Sequence, residues 1–126
     1  MFSHVMLGSN DLERSRKFYD AVLGTLGIPP GNLDKYRYFY RGNGGVFSFS
    51  TPINGDAASC ANGGTIGFAA SDPEEVDAFH AAGVANGGTS VEDPPGWREN
   101  PFGSLYLAYL RDPDGNKICA LYRAKR

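Results

Sequence analysis

Cysteine is scarce in this 126-residue chain, with only Cys60 and Cys119 and no CxxC spacing. Two such residues cannot form a disulfide framework, so a reducing, cytoplasmic setting is expected. Long apolar runs are missing too: nothing approaches the roughly 18 consecutive apolar residues of a membrane span. The segment before the first polar break, Met1 to Leu7, is too short for a signal-peptide core. Basic clusters are absent except for the tail Arg123, Lys125 and Arg126, and the net charge is -2. Nucleic-acid affinity rests on phosphate neutralisation, so no nucleic-acid partner is expected. Neither GxGxxG nor GxxxxGK[ST] occurs, which removes the common phosphate loops. No GxSxG occurs either, and the chain is too short for the hydrolase fold that carries it.

What is present is a core. Apolar residues make up 41% of the chain, which suits one ordinary domain. Glycine (17) and proline (8) are plentiful, but they cluster as turns between short elements, as in Gly27 to Gly31, Gly42 to Gly45 and Pro94 to Gly96.

Phe2 to Leu7 reads as a strand. Asn10 is placed to cap a helix, with Glu13 closing a capping box. Leu12, Phe18, Tyr19, Val22, Leu23 and Leu26 then recur at helical spacing. A weak strand between Gly27 and Asp34 is followed by strands at 36–40 and 46–50, joined through Gly42 to Gly45. The second half repeats this order. A strand over 65–70 precedes a helix capped by Asp72, with Pro73 at its first position and Glu75 completing the box. Strands at 89–92, 104–111 and 117–122 follow, the last two joined by the tight turn Asp112-Pro113-Asp114-Gly115-Asn116. Strand, capped helix and several strands thus occur twice, about 60 residues apart. The expected fold is α+β, two βαβββ modules at 1–58 and 62–126 in a single domain.

Alternation predicts the faces. Val5, Leu7, Ile66, Phe68, Ile118, Ala120 and Tyr122 should pack on the helices. His4, Met6, Thr65, Gly67, Ala69, Cys119 and Leu121 should line a pocket.

The opening Ser3-His4-Val5-Met6-Leu7-Gly8 with Asp11 to Ser15 and Phe18-Tyr19, the segment Gly64 to Ala70 with Val76 to His80, and Asp112 to Ile118 together resemble the vicinal oxygen chelate superfamily. This group takes in glyoxalases, bleomycin-resistance proteins and extradiol dioxygenases. The resemblance spans nearly the whole chain. It implies an open, curved mixed sheet around a pocket, and a homodimer. Its members include metal-dependent lyases, isomerases and dioxygenases as well as metal-free binding proteins, so the fold alone does not choose among them.

The metal ligands that the resemblance implies, usually His and Glu on pocket-facing strands, are incomplete here. His4 keeps a ligand type. Thr65 stands where relatives often carry His, and Cys119 where they often carry Glu. A catalytic divalent site needs about three protein ligands. His4 and Cys119 supply two and would suit only a soft, zinc-like ion. The expectation is therefore no cofactor or one divalent ion, and a protein that binds a small molecule, aromatic ones included. The alternative is a metal-dependent lyase of the lactoylglutathione lyase type, or a dioxygenase, acting on a small oxygenated substrate.

Tyr106 matches a tyrosine position frequent in similar sequences and, with His4, is a candidate acid/base. Trp97 and Arg98, read as a Pro-rich loop at the pocket mouth, are candidates to cover an apolar ligand and meet an anionic group. Phe49 belongs to a dense aromatic set, with Tyr36, Tyr38, Phe39, Tyr40 and Phe47, that could line a pocket. With Thr65 and Cys119 these complete the candidate ligand pocket.

Overall fold

The computed structural model of the chain describes residues 1–42 and 44–124. Asn43 of the hairpin and Lys125 and Arg126 of the basic tail lie outside the described residues. The elements run β1 (His4–Gly8), α1 (Leu12–Gly24), β2 (Asn32–Asp34), β3 (Arg37–Gly42), β4 (Gly45–Ser50), β5 (Ile66–Ala69), α2 (Pro73–Ala85), β6 (Thr89–Asn100), β7 (Gly103–Arg111) and β8 (Lys117–Arg123). They form two four-stranded sheets, ordered β1-β4-β3-β2 and β5-β8-β7-β6. In each sheet the first strand pairs parallel with the last, and the others pair antiparallel. The sheets and their helices are the two βαβββ units that the repeat predicts. No described helix is long and apolar enough to cross a membrane.

Each helix forms for local reasons and is held by what it buries. In α1, Phe18, Tyr19, Val22 and Leu23 recur on one face and are fully buried. Each such side chain contributes about 1.5–3 kcal/mol. Its cap is Asp11, whose carboxylate accepts from the Arg14 N–H at 3.0 Å, and not Asn10 as expected. Asn10 is engaged elsewhere: its side chain donates to the Ala58 carbonyl at 3.2 Å and accepts from the Ala58 N–H at 2.7 Å. Glu13 is free of the cap and pairs with Arg16. The second helix follows its expected start. Asp72 accepts from the Glu75 N–H, Glu75 accepts from the Ser71 N–H, and Pro73 opens the helix.

One core joins the modules. Phe47 of β4 meets Phe68 of β5 with ring centroids 5.1 Å apart, and Phe68 meets Phe79 of α2 at 5.9 Å. The helices pack on each other as well as on their sheets. A β-carbon at Gly83 would sit 2.4 Å from Leu110 Cδ1 and 3.4 Å from Val22 Cγ1, so glycine is what lets α1, α2 and β7 come this close. Both helix-facing sheet surfaces therefore converge on the same interior.

The turn between β7 and β8 also binds the modules together. Tyr19 of α1 donates to Asp112 Oδ2 at 2.5 Å. The same carboxylate accepts from the Asp114 and Asn116 N–H groups and from Asn116 Nδ2, each at 2.9 Å. Asn116 Nδ2 reaches the Gly8 carbonyl at 3.2 Å. Asp114 accepts from the Asn10 N–H, from Arg14 Nη2 and from the Ser15 hydroxyl. Burial and the neighbouring Asp112 carboxylate hold the Tyr19 hydroxyl well above its usual pKa, so it remains a proton donor at any physiological pH.

Candidate functional site

A cavity of about 630 Å³ opens between the modules, within the size range of small-molecule sites. The start of β1 supplies His4 and Val5. The loop after α1 supplies Leu26 and Ile28, the β3–β4 end supplies Arg41, Val46 and Phe47, and β5 with its exit supplies Ile66 to Ser71. Among the described residues neither β1 nor β5 has a strand partner on its outer side, so part of the wall is unpaired backbone. A second groove, of about 650 Å³, runs from residues 67–71 across to Leu121, Tyr122 and Arg123 of the neighbouring β8.

Most of the lining side chains are apolar, but the surface of the cavity is about equally polar and apolar, and few side chains can polarise a ligand. His4 is exposed, and its Nδ1 lies 2.8 Å from the Ser3 hydroxyl, which fixes the ring while Nε2 has no partner among the described residues. Tyr40 reaches the rim, but its hydroxyl donates to Asp20 Oδ1 at 2.7 Å. Burial first, and then that bond, raise its pKa far beyond the usual range, so it serves as structure and not as an acid.

Of the candidate site residues His4, Tyr106, Thr65, Cys119, Phe49, Trp97 and Arg98, only His4 lines this cavity; Gly67 and Ala69 of the expected pocket face and Tyr40 and Phe47 of the aromatic set line it as well. Phe49 is 1% exposed on the helix side of β4, with rings stacked 5.4 Å from both Tyr19 and Tyr38. It is core, because odd-numbered residues of β4 face α1. Tyr106 also lies on the helix side of its sheet, where its hydroxyl donates to Asp77 of α2 at 2.8 Å, and that bond raises its pKa. Tyr109, one face over, is the outward tyrosine, and Lys117 Nζ sits 4.7 Å from its ring centre. Trp97 and Arg98 are not in a loop. They belong to the second half of β6, beyond an irregularity between Val91 and Gly96. The Arg98 guanidinium donates to the Asp93 and Pro94 carbonyls and so holds the bulged segment. Trp97, half exposed, packs edge-on against Tyr106 and Tyr122 on the helix side. Thr65 is exposed and precedes β5.

Cys119 lies on the outward face of β8, opposite Gly67 and Tyr109, and is 5% exposed. Burial pushes its thiol pKa up to about 11, against a weaker opposing pull from Lys117. The fold thus favours the protonated thiol. The stability this contributes is held below the ordinary thiol range and is lost as pH climbs toward 11. His4 and Cys119 sit on different sheets, His4 lines the cavity and Cys119 does not, and no group of three or more His, Cys, Asp or Glu is placed for a metal ion among the described residues. Within one chain these donors do not fit a divalent ion.

Sequence reasoning missed Arg41. The available signal was alternation along β3, which puts Arg37, Phe39 and Arg41 on one face. It also missed that Asp112 and Asp114, read as turn formers, reach across to the other module.

The comparisons with known proteins agree with this architecture. The family model described as Glyoxalase/Bleomycin resistance protein/Dioxygenase superfamily matches residues 1–120. A crystal structure of a glyoxalase/bleomycin resistance protein from Albidiferax ferrireducens T118 is 68% identical and superposes with a TM-score of 0.96, over 98% of this chain and 99% of that one. A lactoylglutathione lyase from Haemophilus influenzae is 28% identical over 120 residues, 91% of this chain and 87% of the relative. The crystal structure of a lactoylglutathione lyase from Agrobacterium tumefaciens, 20% identical with a TM-score of 0.66 over 97% and 92% of the two chains, shares the fold. On the family match over nearly its full length, the chain belongs to the glyoxalase/bleomycin resistance protein/dioxygenase superfamily.

Proposed function

We propose that this chain binds a small, apolar-bodied molecule, aromatic ones included, in the cavity between its two modules. The observation that carries the reading is the cavity itself. It has the volume of a ligand site, apolar side chains beside polar surface of about equal extent, and one imidazole at its edge with a ring nitrogen unengaged among the described residues. The experiment is a fragment titration followed by amide NMR shifts in the native protein and in His4→Ala. Shifts should gather at residues 66–71 and around Val5, and His4→Ala should fold normally and bind about threefold to tenfold more weakly. Fragments that bind elsewhere, or bind both proteins equally, would sink this assignment.

The second reading is lyase chemistry, supported by the likeness to the Haemophilus influenzae lactoylglutathione lyase. Metal content of the same preparation separates the two. A stoichiometric divalent ion would favour the lyase, with ligands drawn from more than one chain. A metal-free protein that still binds fragments would favour the first.

The partner that fits best is a second copy. The outer edges of β1 and β5 are unpaired, and exposed edges are normally covered. Beside them Phe2 is 73% exposed and Met6 41% exposed. Light scattering should therefore give twice the 13.5 kDa chain mass, whereas a monomer at micromolar concentration would contradict this.

A further inference from the structure

The six lysines and arginines carried by strands, Arg37, Arg41, Arg98, Arg111, Lys117 and Arg123, all fall on the outward faces of the two sheets. Four are committed within the chain. Arg37 pairs with Asp34 and Lys117 with Glu92, Arg111 donates to the Gly115 carbonyl, and Arg98 holds the carbonyls of its own bulge. Asp34 and Glu92, the carboxylates on these faces, are thereby matched. Arg41 and Arg123 are left with no hydrogen-bond or ion-pair partner among the described residues.

Arg41 is the one of these two that lines the inter-module cavity. It shares a rung of the sheet with His4, since both are registered against Val46. Two strand spacings place their backbones about 10 Å apart. Both side chains stand on the same face as Val46 and are long enough to reach a group lying over it. The cavity wall has no carboxylate among the described residues, and the unpaired edge of β5 brings backbone N–H groups to its opposite side. A guanidinium, an imidazole and amide donors, with no negative charge between them, form a site for an anion.

We propose that the ligand of this cavity is an anion-bearing small molecule, a carboxylate or phosphonate on an apolar body, whose charged group is held by Arg41 with His4 beside it. This rests on the cavity being the binding site and goes beyond it by naming the charge of the ligand. The apolar body lies against Val46, on the same face of the sheet as the two polar side chains. Arg41 selects for charge, because a neutral isostere leaves the guanidinium paired only with water.

The test is an NMR titration of the full chain with benzoate, phenylphosphonate and the neutral isostere benzamide, repeated in Arg41→Gln and Arg123→Gln. The two anions should bind about tenfold more tightly than benzamide. Arg41→Gln should abolish that preference while leaving benzamide affinity unchanged, and Arg123→Gln should keep it. Equal affinity for benzoate and benzamide overturns the proposal and leaves the cavity as a site for neutral molecules. So does a preference that survives Arg41→Gln, or one that disappears in Arg123→Gln. If none of the three probes perturbs residues 66–71, the cavity assignment fails together with this one.

Discussion

Asp112→Ala is expected to lower the melting temperature by about 10–20 °C. The carboxylate accepts four hydrogen bonds: from Tyr19, from the Asp114 and Asn116 N–H groups and from Asn116 Nδ2. It is 5% exposed, so water cannot fully replace it. Hydrogen bonds to a charged group are worth about 1.5–3 kcal/mol each, and donors left buried without a partner add their desolvation cost. Such contributions are not additive, so a total of about 3–5 kcal/mol is expected. For a domain between the small and large cases, each kcal/mol moves the midpoint by about 3–5 °C. Tyr19→Phe deletes only one donor and should cost about 1–2 kcal/mol, most of it absent when Asp112 is already gone. A double-mutant cycle by chemical denaturation measures that coupling. An Asp112→Ala protein melting within about 2 °C of the native one would show that the turn does not hold the modules together. Because the cavity lies between those modules, the same substitution should also weaken ligand binding, although Asp112 does not line it.

Gly88→Ala acts on the same joint from the opposite side. An added β-carbon would lie 2.6 Å from Phe18 Cε1, 2.9 Å from the Gly83 carbonyl oxygen and 3.0 Å from the Arg111 carbonyl oxygen. Two of these neighbours are backbone, anchored in α2 and β7, and cannot swing aside. Phe18 is fully buried at the centre of the core and has nowhere to turn. Overpacking of this kind costs about 1–3 kcal/mol and occasionally more, and immovable neighbours put this site at or above the upper end. Gly24→Ala is the control. Its β-carbon would meet nothing within 4 Å, and alanine is the better helix former, so stability should hold or rise slightly. Equal unfolding midpoints for Gly88→Ala and Gly24→Ala would refute the close approach of α1 to the second module.

Each module was legible because its signals are local. Period-two alternation put Phe68, Ile118 and Ala120 on the helix side and Cys119 and Leu121 opposite, where the sheet holds them. Helical spacing picked out Phe18, Tyr19, Val22 and Leu23, which are the buried apolar residues of α1. Local chemistry failed where two residues offered the same service. Asn10 and Asp11 can both cap a helix, and the choice fell to Asp11 because Ala58, 48 residues away, occupies the Asn10 amide. Pro94-Pro95-Gly96 reads as the end of a strand, yet Arg98 supplies the hydrogen bonds that carry β6 past it to Asn100.

What the sequence by itself determined is the pair of βαβββ units, the inward and outward faces of their strands and the family they belong to. These follow from patterns that repeat within a few residues and are enforced by burying apolar side chains on one face. Only the tertiary structure decided how the two units meet. Tyr19 finds Asp112 across 93 positions, Asp114 gathers Asn10, Arg14 and Ser15, and Gly83 and Gly88 admit neighbours from other elements. That joint turns the helix sides inward, places Tyr106 on Asp77 and Phe49 in the core, leaves Cys119 off the cavity, and brings His4 and Arg41 to it. No local periodicity encodes it, because its energy comes from hydrogen bonds and packing between residues far apart in the chain.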